Sequence, residues 1–258
     1  MAKNLSLFLL GVIISSLGIR AQEMQPRSRF ANWFVNDPIS AVKDFRSSQL
    51  ISLGVAGFSV GTLTNVDVPN SMYMHQKFKD SEYLNVVNEF GTFRIVAPAS
   101  AALFGVSLLS PNQKFQDAAF TSFQAVMNTA VTVNFAKFMF ARSRPYQNDG
   151  AFDFDYFEKG ETSFPSGHAS TAFALITPWV MYYPKPLTFS LYIIPVSTSM
   201  ARIVKGKHWL SDVTAGALIG TYWGYYLSKK HKSLNNPNLE ITPMFQNGGG
   251  GVNIKVKL

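Results

Sequence analysis

The chain has 258 residues, a formal net charge of +8 and no cysteine, with 47% hydrophobic and only 15% charged residues. That length predicts one main domain able to bury a sizeable core, and the missing cysteines exclude disulfides and thiolate chemistry. A basic balance carried on so few charges, without a dense Lys/Arg stripe interleaved with aromatics, suits a membrane neighbour rather than a nucleic-acid partner.

In chain order, Lys3 opens a short positive region, Leu5 to Leu17 is apolar, and Ala21 precedes Gln22. Residues 1–21 therefore read as a secretory signal peptide, with an uncleaved anchor helix as the alternative. A short N-terminal segment, 22–46, precedes a main domain at 47–232 and a tail at 233–258. Within the main domain, uncharged runs recur at Ser47 to Val66, Ile95 to Gln113, Ala118 to Ala136, Ala169 to Pro184, Pro186 to Ala201 and Val213 to Ser228. A bilayer span takes about 20 apolar residues, so these are modest transmembrane helices or the buried helices of a soluble bundle. If residues 1–21 are removed, a site on the exported side at Arg144 needs an even number of crossings before it, which would make the run at 47–66 re-entrant or surface-lying. An anchor helix restores parity with all three early runs crossing, and both arrangements leave Lys229, Lys230 and Lys232 on the cytoplasmic side. Gly216, Gly220 and Gly224 give the last helix a smooth face for close packing. Between the first two chemical motifs, Asn148 to Glu161 alternates acids with rings, as a solvated loop or as a lid over a hydrophobic chain. The tail reads strand, Gly-rich turn at Gly248 to Gly251, strand.

Chemistry concentrates in three strings: Lys137 to Pro145 (KFMFARSRP), Phe164 to His168 (FPSGH) and Ala201 to Asp212 (ARIVKGKHWLSD). A transferring phosphoryl group spreads negative charge over its equatorial oxygens and needs preorganised donors. Lys137, Arg144 and Arg202 supply them, the arginines as planar forks and the lysine as a point charge. On a helix, Lys137 and Arg144 would share one face about two turns apart, with Pro145 ending the helix. Taken singly, such cations would serve equally as interfacial anchors. Ser166 is placed to N-cap the apolar run that follows, and Gly167 permits close backbone approach to an anion at a helix N-terminus. An ordinary cap would explain those two residues but not His168. His208 and Asp212 are four apart and face one way. A carboxylate on one ring nitrogen fixes the tautomer and frees the other nitrogen. A capping Asp beside a buried His, or a shared metal ion, would use the same pair, although three neighbouring cations oppose a divalent metal.

Lys137, six residues, Arg144-Pro145, then Pro165-Ser166-Gly167-His168, then Arg202, five residues, His208, three residues and Asp212 resemble the tripartite signature of the type 2 phosphatidic acid phosphatase (PAP2) superfamily, which also holds bacterial acid phosphatases and vanadium haloperoxidases. The pattern departs at Ala201, where the family has Ser, so one hydroxyl donor to phosphate is absent. The resemblance implies an all-α bundle of about six helices, here with a hairpin-like tail. It also implies His208 as nucleophile, Asp212 as its orienter, His168 as general acid, and phosphate held by Lys137, Arg144, Ser166, Gly167 and Arg202, with no metal or cofactor. The expected substrate is a phosphorylated lipid at the periplasmic face of the inner membrane. A soluble periplasmic acid phosphatase acting on small phosphoesters, a vanadate-dependent haloperoxidase and a non-enzymatic membrane scaffold are the alternatives.

Overall fold

The computed structural model describes residues 28–43, 47–158, 162–234, 239–246 and 249–256. The expected leader at 1–21 lies outside them. The main body is helical throughout, as expected: α1 Ser28–Lys43, α2 Ser47–Phe78, α3 Glu82–Val87, α4 Phe93–Ser107, α5 Gln113–Phe140, α6 Gly167–Tyr182, α7 Pro186–Phe189, α8 Ile193–Val204 and α9 Leu210–Leu234. Single 3₁₀ turns occupy Asn88–Gly91, Pro145–Gln147 and Ser190–Tyr192. The tail forms two antiparallel strands, β1 Leu239–Gln246 and β2 Gly249–Val256. Gln246 pairs with Gly249, so Gly249 to Gly251 lie within β2 and not in the expected turn.

Helix α6 is central, packed between α5 and α9. Ser166 N-caps it by accepting the Ala169 amide. The small-residue stripe on α9 is what lets it close on α6. A Cβ at Gly216 would stand 2.5 Å from the Ser166 carbonyl oxygen, one at Gly220 2.1 Å from that of Ser170, and one at Gly224 2.6 Å from Thr177 Cβ. Val96, Ala125, Val126, Ala174 and Leu227 then join α4, α5, α6 and α9 in one apolar cluster. Full burial of a side chain such as Leu227 contributes about 1.5–3 kcal/mol.

Polarity runs inside-out along α2. Val60, Thr64, Asp67 and Ser71 form its buried stripe, while Leu50, Ile51, Leu53, Val55, Phe58, Val66, Val68 and Met72 are exposed. The same holds around α7 and α8, where Leu187, Phe189, Ile193 and Val196 face outward and Ser197, Thr198 and Arg202 are buried. Two segments, Gln49–Phe78 and Pro186–Val204, are long and apolar enough to cross a membrane, and Glu82–Gly91 with Phe93–Ser107 forms a third candidate bent by 62°. The break in helical continuity therefore falls at Thr92. The run at 47–66 continues as one unbroken helix to Phe78, which leaves a crossing or a surface-lying placement compatible with it and removes only the re-entrant one.

Candidate active site

Three chain breaks bring the motifs together. At the end of α5, Ala141 takes a left-handed conformation with φ 37° and its amide closes on the Lys137 carbonyl. The helix thus ends at Phe140, five residues before Pro145, and Arg144 is extended (φ −89°, ψ 155°). Lys137 and Arg144 consequently do not share a helix face, as the spacing suggested. They converge instead on the Thr162 carbonyl, which Lys137 Nζ meets at 2.5 Å and Arg144 Nη2 at 3.4 Å. The second break precedes α6. There a Cβ at Gly167 would make only an ordinary 3.8 Å contact with Val133, so packing does not account for a glycine at this position. The third follows α8, where the Arg202 carbonyl accepts the Lys207 and His208 amides at 3.0 and 3.3 Å. One residue thereby carries a cation on its side chain and shapes the loop that presents His208.

The cations crowd one another. Burial, and next the Arg144 guanidinium, hold the Lys137 amine down at about 8, with Arg202 acting the same way and Asp212 opposing. Burial also pushes His208 down to about 3, with Lys137 and Arg202 adding to the effect and Asp212 resisting it. His168 is pushed down to about 4 by burial and then by Arg202, Arg144 and Lys137, against Glu89. Both imidazoles are therefore neutral near pH 7 while the cations stand without an anion, and a phosphate bound among them would offset their charge and favour protonation of His168. Arg144 Nε, Arg202 Nε and His208 Nδ1 are buried with no hydrogen-bond partner among the described residues. Buried donors left unmade are costly, and a gathering of them beside a neutral histidine suits an anion with several acceptor oxygens. Among the described residues, no group of three His, Asp or Glu side chains is placed to share a metal ion.

Asp212 does more than face His208. Its Oδ2 lies 3.7 Å from His208 Nδ1, outside hydrogen-bond range, and accepts the Trp209 amide at 2.8 Å together with the Ser163 hydroxyl. The expected orienting contact is thus a close approach, combined with the capping role that was its structural alternative. The other oxygen, Oδ1, accepts Arg142 Nη1 at 2.6 Å.

Arg142 is not part of the sequence motif. It is 1% exposed and clamps the site from behind: Nη2 reaches Asp67 Oδ2 of α2 at 2.8 Å, Nη1 also meets Ser211 Oγ at 2.7 Å, and Nε and Nη2 donate to the Ala151 carbonyl at 2.9 and 2.5 Å. Asp67 is fully buried and accepts the Ser211 amide at 2.9 Å. Membrane-type helices seldom hold a lone carboxylate without a partner, so Asp67, inside an otherwise apolar run, is the sequence signal that could have pointed to it.

The segment after Pro145 is pinned along the end of α5. Ser143 donates its amide to the Asp153 carbonyl and its hydroxyl to the Asp153 carboxylate, Asp155 N donates to the Ala141 carbonyl at 3.3 Å, and Phe157 N donates to that of Met139 at 3.4 Å. Phe152, Tyr156 and Phe157 remain exposed. Ala201 is fully buried against Leu84, Val87 and Val204. Its methyl fills an apolar contact with α3 that a serine hydroxyl would not suit.

Residues 118–235 match the PAP2 superfamily. The matched stretch contains all three motifs, whereas Asp67 and the turn at Asn88–Gly91 precede it. The chain is 36% identical over 102 residues to a lipid A 1-phosphatase of Porphyromonas gingivalis, covering 37% of this chain and 20% of that protein. It is 29% identical over 105 residues to a lipid A 1-phosphatase of Rhizobium etli, covering 39% and 45% respectively. The chain thus spans less than half the length of these relatives. In fold, it superposes on the transmembrane PAP2-type phosphatidylglycerolphosphate phosphatase of Bacillus subtilis with a TM-score of 0.57 at 15% identity, over 72% of this chain and 96% of that one.

Proposed function

We propose that the protein is a metal-independent phosphatase that removes a phosphate or pyrophosphate group from a lipid. His208 attacks phosphorus to give a phosphohistidine, and its depressed pKa keeps it neutral and nucleophilic at physiological pH. His168 protonates the leaving oxygen and then deprotonates the attacking water. Lys137, Arg144 and Arg202, with Ser166 and Gly167 at the N-terminus of α6, hold the equatorial oxygens. Asp212 stabilises the positive charge that develops on His208.

The observation that carries this reading is the pair of orphaned guanidinium Nε donors beside a buried neutral histidine. A lipid is favoured as substrate because apolar side chains cover the outside of α2, α7 and α8 while polar groups fill the inside, the arrangement a bilayer stabilises. The lipid A 1-phosphatase relatives support the same class. On this reading the bundle sits in the inner membrane with its site toward the periplasm. The deciding experiment is phosphate release by detergent-purified protein from lipid phosphates and from water-soluble phosphoesters, with an acid quench during turnover. The expected result is an acid-labile phosphoenzyme that His208→Ala cannot form, with activity that survives EDTA and is inhibited by vanadate, a mimic of the transition state. Activity lost to chelator and restored by zinc or magnesium would overturn it, as would full recovery of the enzyme in osmotic-shock fluid for the membrane placement.

A further inference from the structure

The turn Asn88–Gly91 and Thr92 lie outside every motif, yet they are fastened to the site on four sides. Thr171 Oγ1 donates to the Gly91 carbonyl at 2.6 Å and Thr198 Oγ1 to that of Val87 at 3.0 Å. Arg202 Nη1 donates to Asn88 Oδ1 at 2.9 Å. Any Cβ at Gly91 would sit 2.4 Å from the His168 carbonyl oxygen, so only glycine lets the turn press this closely on the start of α6.

What the clamp delivers is a three-group chain. Thr92 Oγ1 donates to Glu89 Oε2 at 3.2 Å and lies 3.1 Å from His168 Nε2. Asn88 Nδ2 fixes the other carboxylate oxygen at 2.7 Å. A carboxylate only accepts and a hydroxyl has a single proton. Since Thr92 gives that proton to Glu89, it accepts from His168, whose Nε2 must then carry hydrogen.

We infer that Glu89, acting through Thr92, is the counter-charge of the general acid: it fixes the Nε2–H form of His168 and holds the imidazolium long enough to protonate the leaving group. The inference rests on the phosphatase reading above. Charged groups face His168 from three directions, with Arg202 on α8, Arg144 after α5 and Lys137 on α5, and all three oppose its protonation. Glu89, itself near Lys205, is the anion that favours it. In the transfer step a His208 nitrogen–phosphorus bond forms as the bond from phosphorus to the leaving oxygen breaks. That oxygen takes the Nδ1 proton of the His168 imidazolium, while Nε2–H stays on Thr92. In the second step water attacks phosphorus, the nitrogen–phosphorus bond breaks, and neutral Nδ1 of His168 takes the water proton. Both histidines are thereby restored. Glu89 and Thr92 are positioning residues, since neither needs to touch substrate.

The test uses the full chain in detergent with dioctanoyl phosphatidic acid, whose leaving oxygen is strongly basic, and p-nitrophenyl phosphate, whose leaving oxygen is not. Glu89 is exposed, so Glu89→Gln should fold. It should lower kcat about tenfold or more on the alkyl ester and less than about threefold on the aryl ester, with KM little changed. General acid catalysis is lost as pH rises through the His168 pKa, so removing the anion should also move the basic limb of the kcat profile to lower pH. Thr92→Val should reproduce both effects and Thr92→Ser should retain most of the activity. Equal losses on the two esters, or an unmoved basic limb, would overturn the relay. Nitrogen-15 NMR of the histidines reads it without turnover: Nε2–H at His168, and a lower titration midpoint in Glu89→Gln, are expected, and an Nδ1–H tautomer refutes it. Should the parent protein release phosphate from neither ester, the phosphatase reading fails, and the NMR result alone then decides whether the Glu89–Thr92–His168 chain exists.

Discussion

Arg142→Met should be the most damaging single substitution behind the site. The guanidinium satisfies two fully buried carboxylates, Asp67 and Asp212, and donates to Ser211 and the Ala151 carbonyl as well. Methionine matches much of the volume but leaves both carboxylates without their cation. Removing one partner of a buried pair costs about 3–5 kcal/mol, a large share of the roughly 5–15 kcal/mol that holds a domain together. For a chain of this size the apparent melting temperature should fall by about 6–20 °C. Intrinsic-fluorescence melting in detergent at a fixed scan rate would measure this. Adding Asp67→Asn should return part of the loss, because one of the two stranded charges disappears. A melting temperature within about 2 °C of the parent would refute the reasoning, because it would mean that the network is solvated and not buried.

Arg202→Lys keeps the charge but loses the fork, and it breaks the Nη1 bond to Asn88; kcat/KM should drop more than about tenfold, about 1.4 kcal/mol or more, whereas a slight loss would indicate a mere anchor. Folded His208 is held at about 3 and His168 at about 4, against 6.5 for an ordinary histidine. Below that ordinary value the unfolded chain binds protons that the folded chain refuses. Stability is therefore complete above pH 6.5 and drains as pH falls toward the folded pKa values. The melting temperature should decline across that window and His208→Gln should flatten the decline; an unchanged slope counts against the assignment. Gly220→Ala would place a methyl 2.1 Å from the Ser170 carbonyl and should destabilise by about 1–3 kcal/mol, while a neutral result would mean that α9 does not lie this close to α6.

The chemistry-bearing residues are legible because each motif is local: a cap and its glycine, a histidine four before an aspartate, an arginine before a proline. The helical class follows from the resemblance those motifs carry, with which the uncharged runs are compatible, and the close face on α9 follows from glycine spacing. What is not legible is long-range or lacks a residue signature. Nothing about Ala141 announces a left-handed conformation, so spacing alone puts Arg144 on a helix that has already ended. The uncharged run at 47–66 stops one residue before Asp67, whose partner is 75 positions away in sequence. Asn88 to Thr92 hold no unusual composition, and their importance comes from being pressed against His168 by contacts with α6 and α8.

Asp67 also bears on how such a chain could be made. If α2 enters the bilayer as an early span, it carries a carboxylate past its midpoint, at an insertion cost of about 2.5–3.5 kcal/mol for an acid at a helix centre. The matching cation arrives only once α5 has been synthesised and its end has docked. Until then α2 is an incomplete span, marginal in lipid. The same arginine that completes it also grips Asp212. Docking of α2 against the end of α5 and assembly of the groups around His208 would therefore occur together, through one side chain.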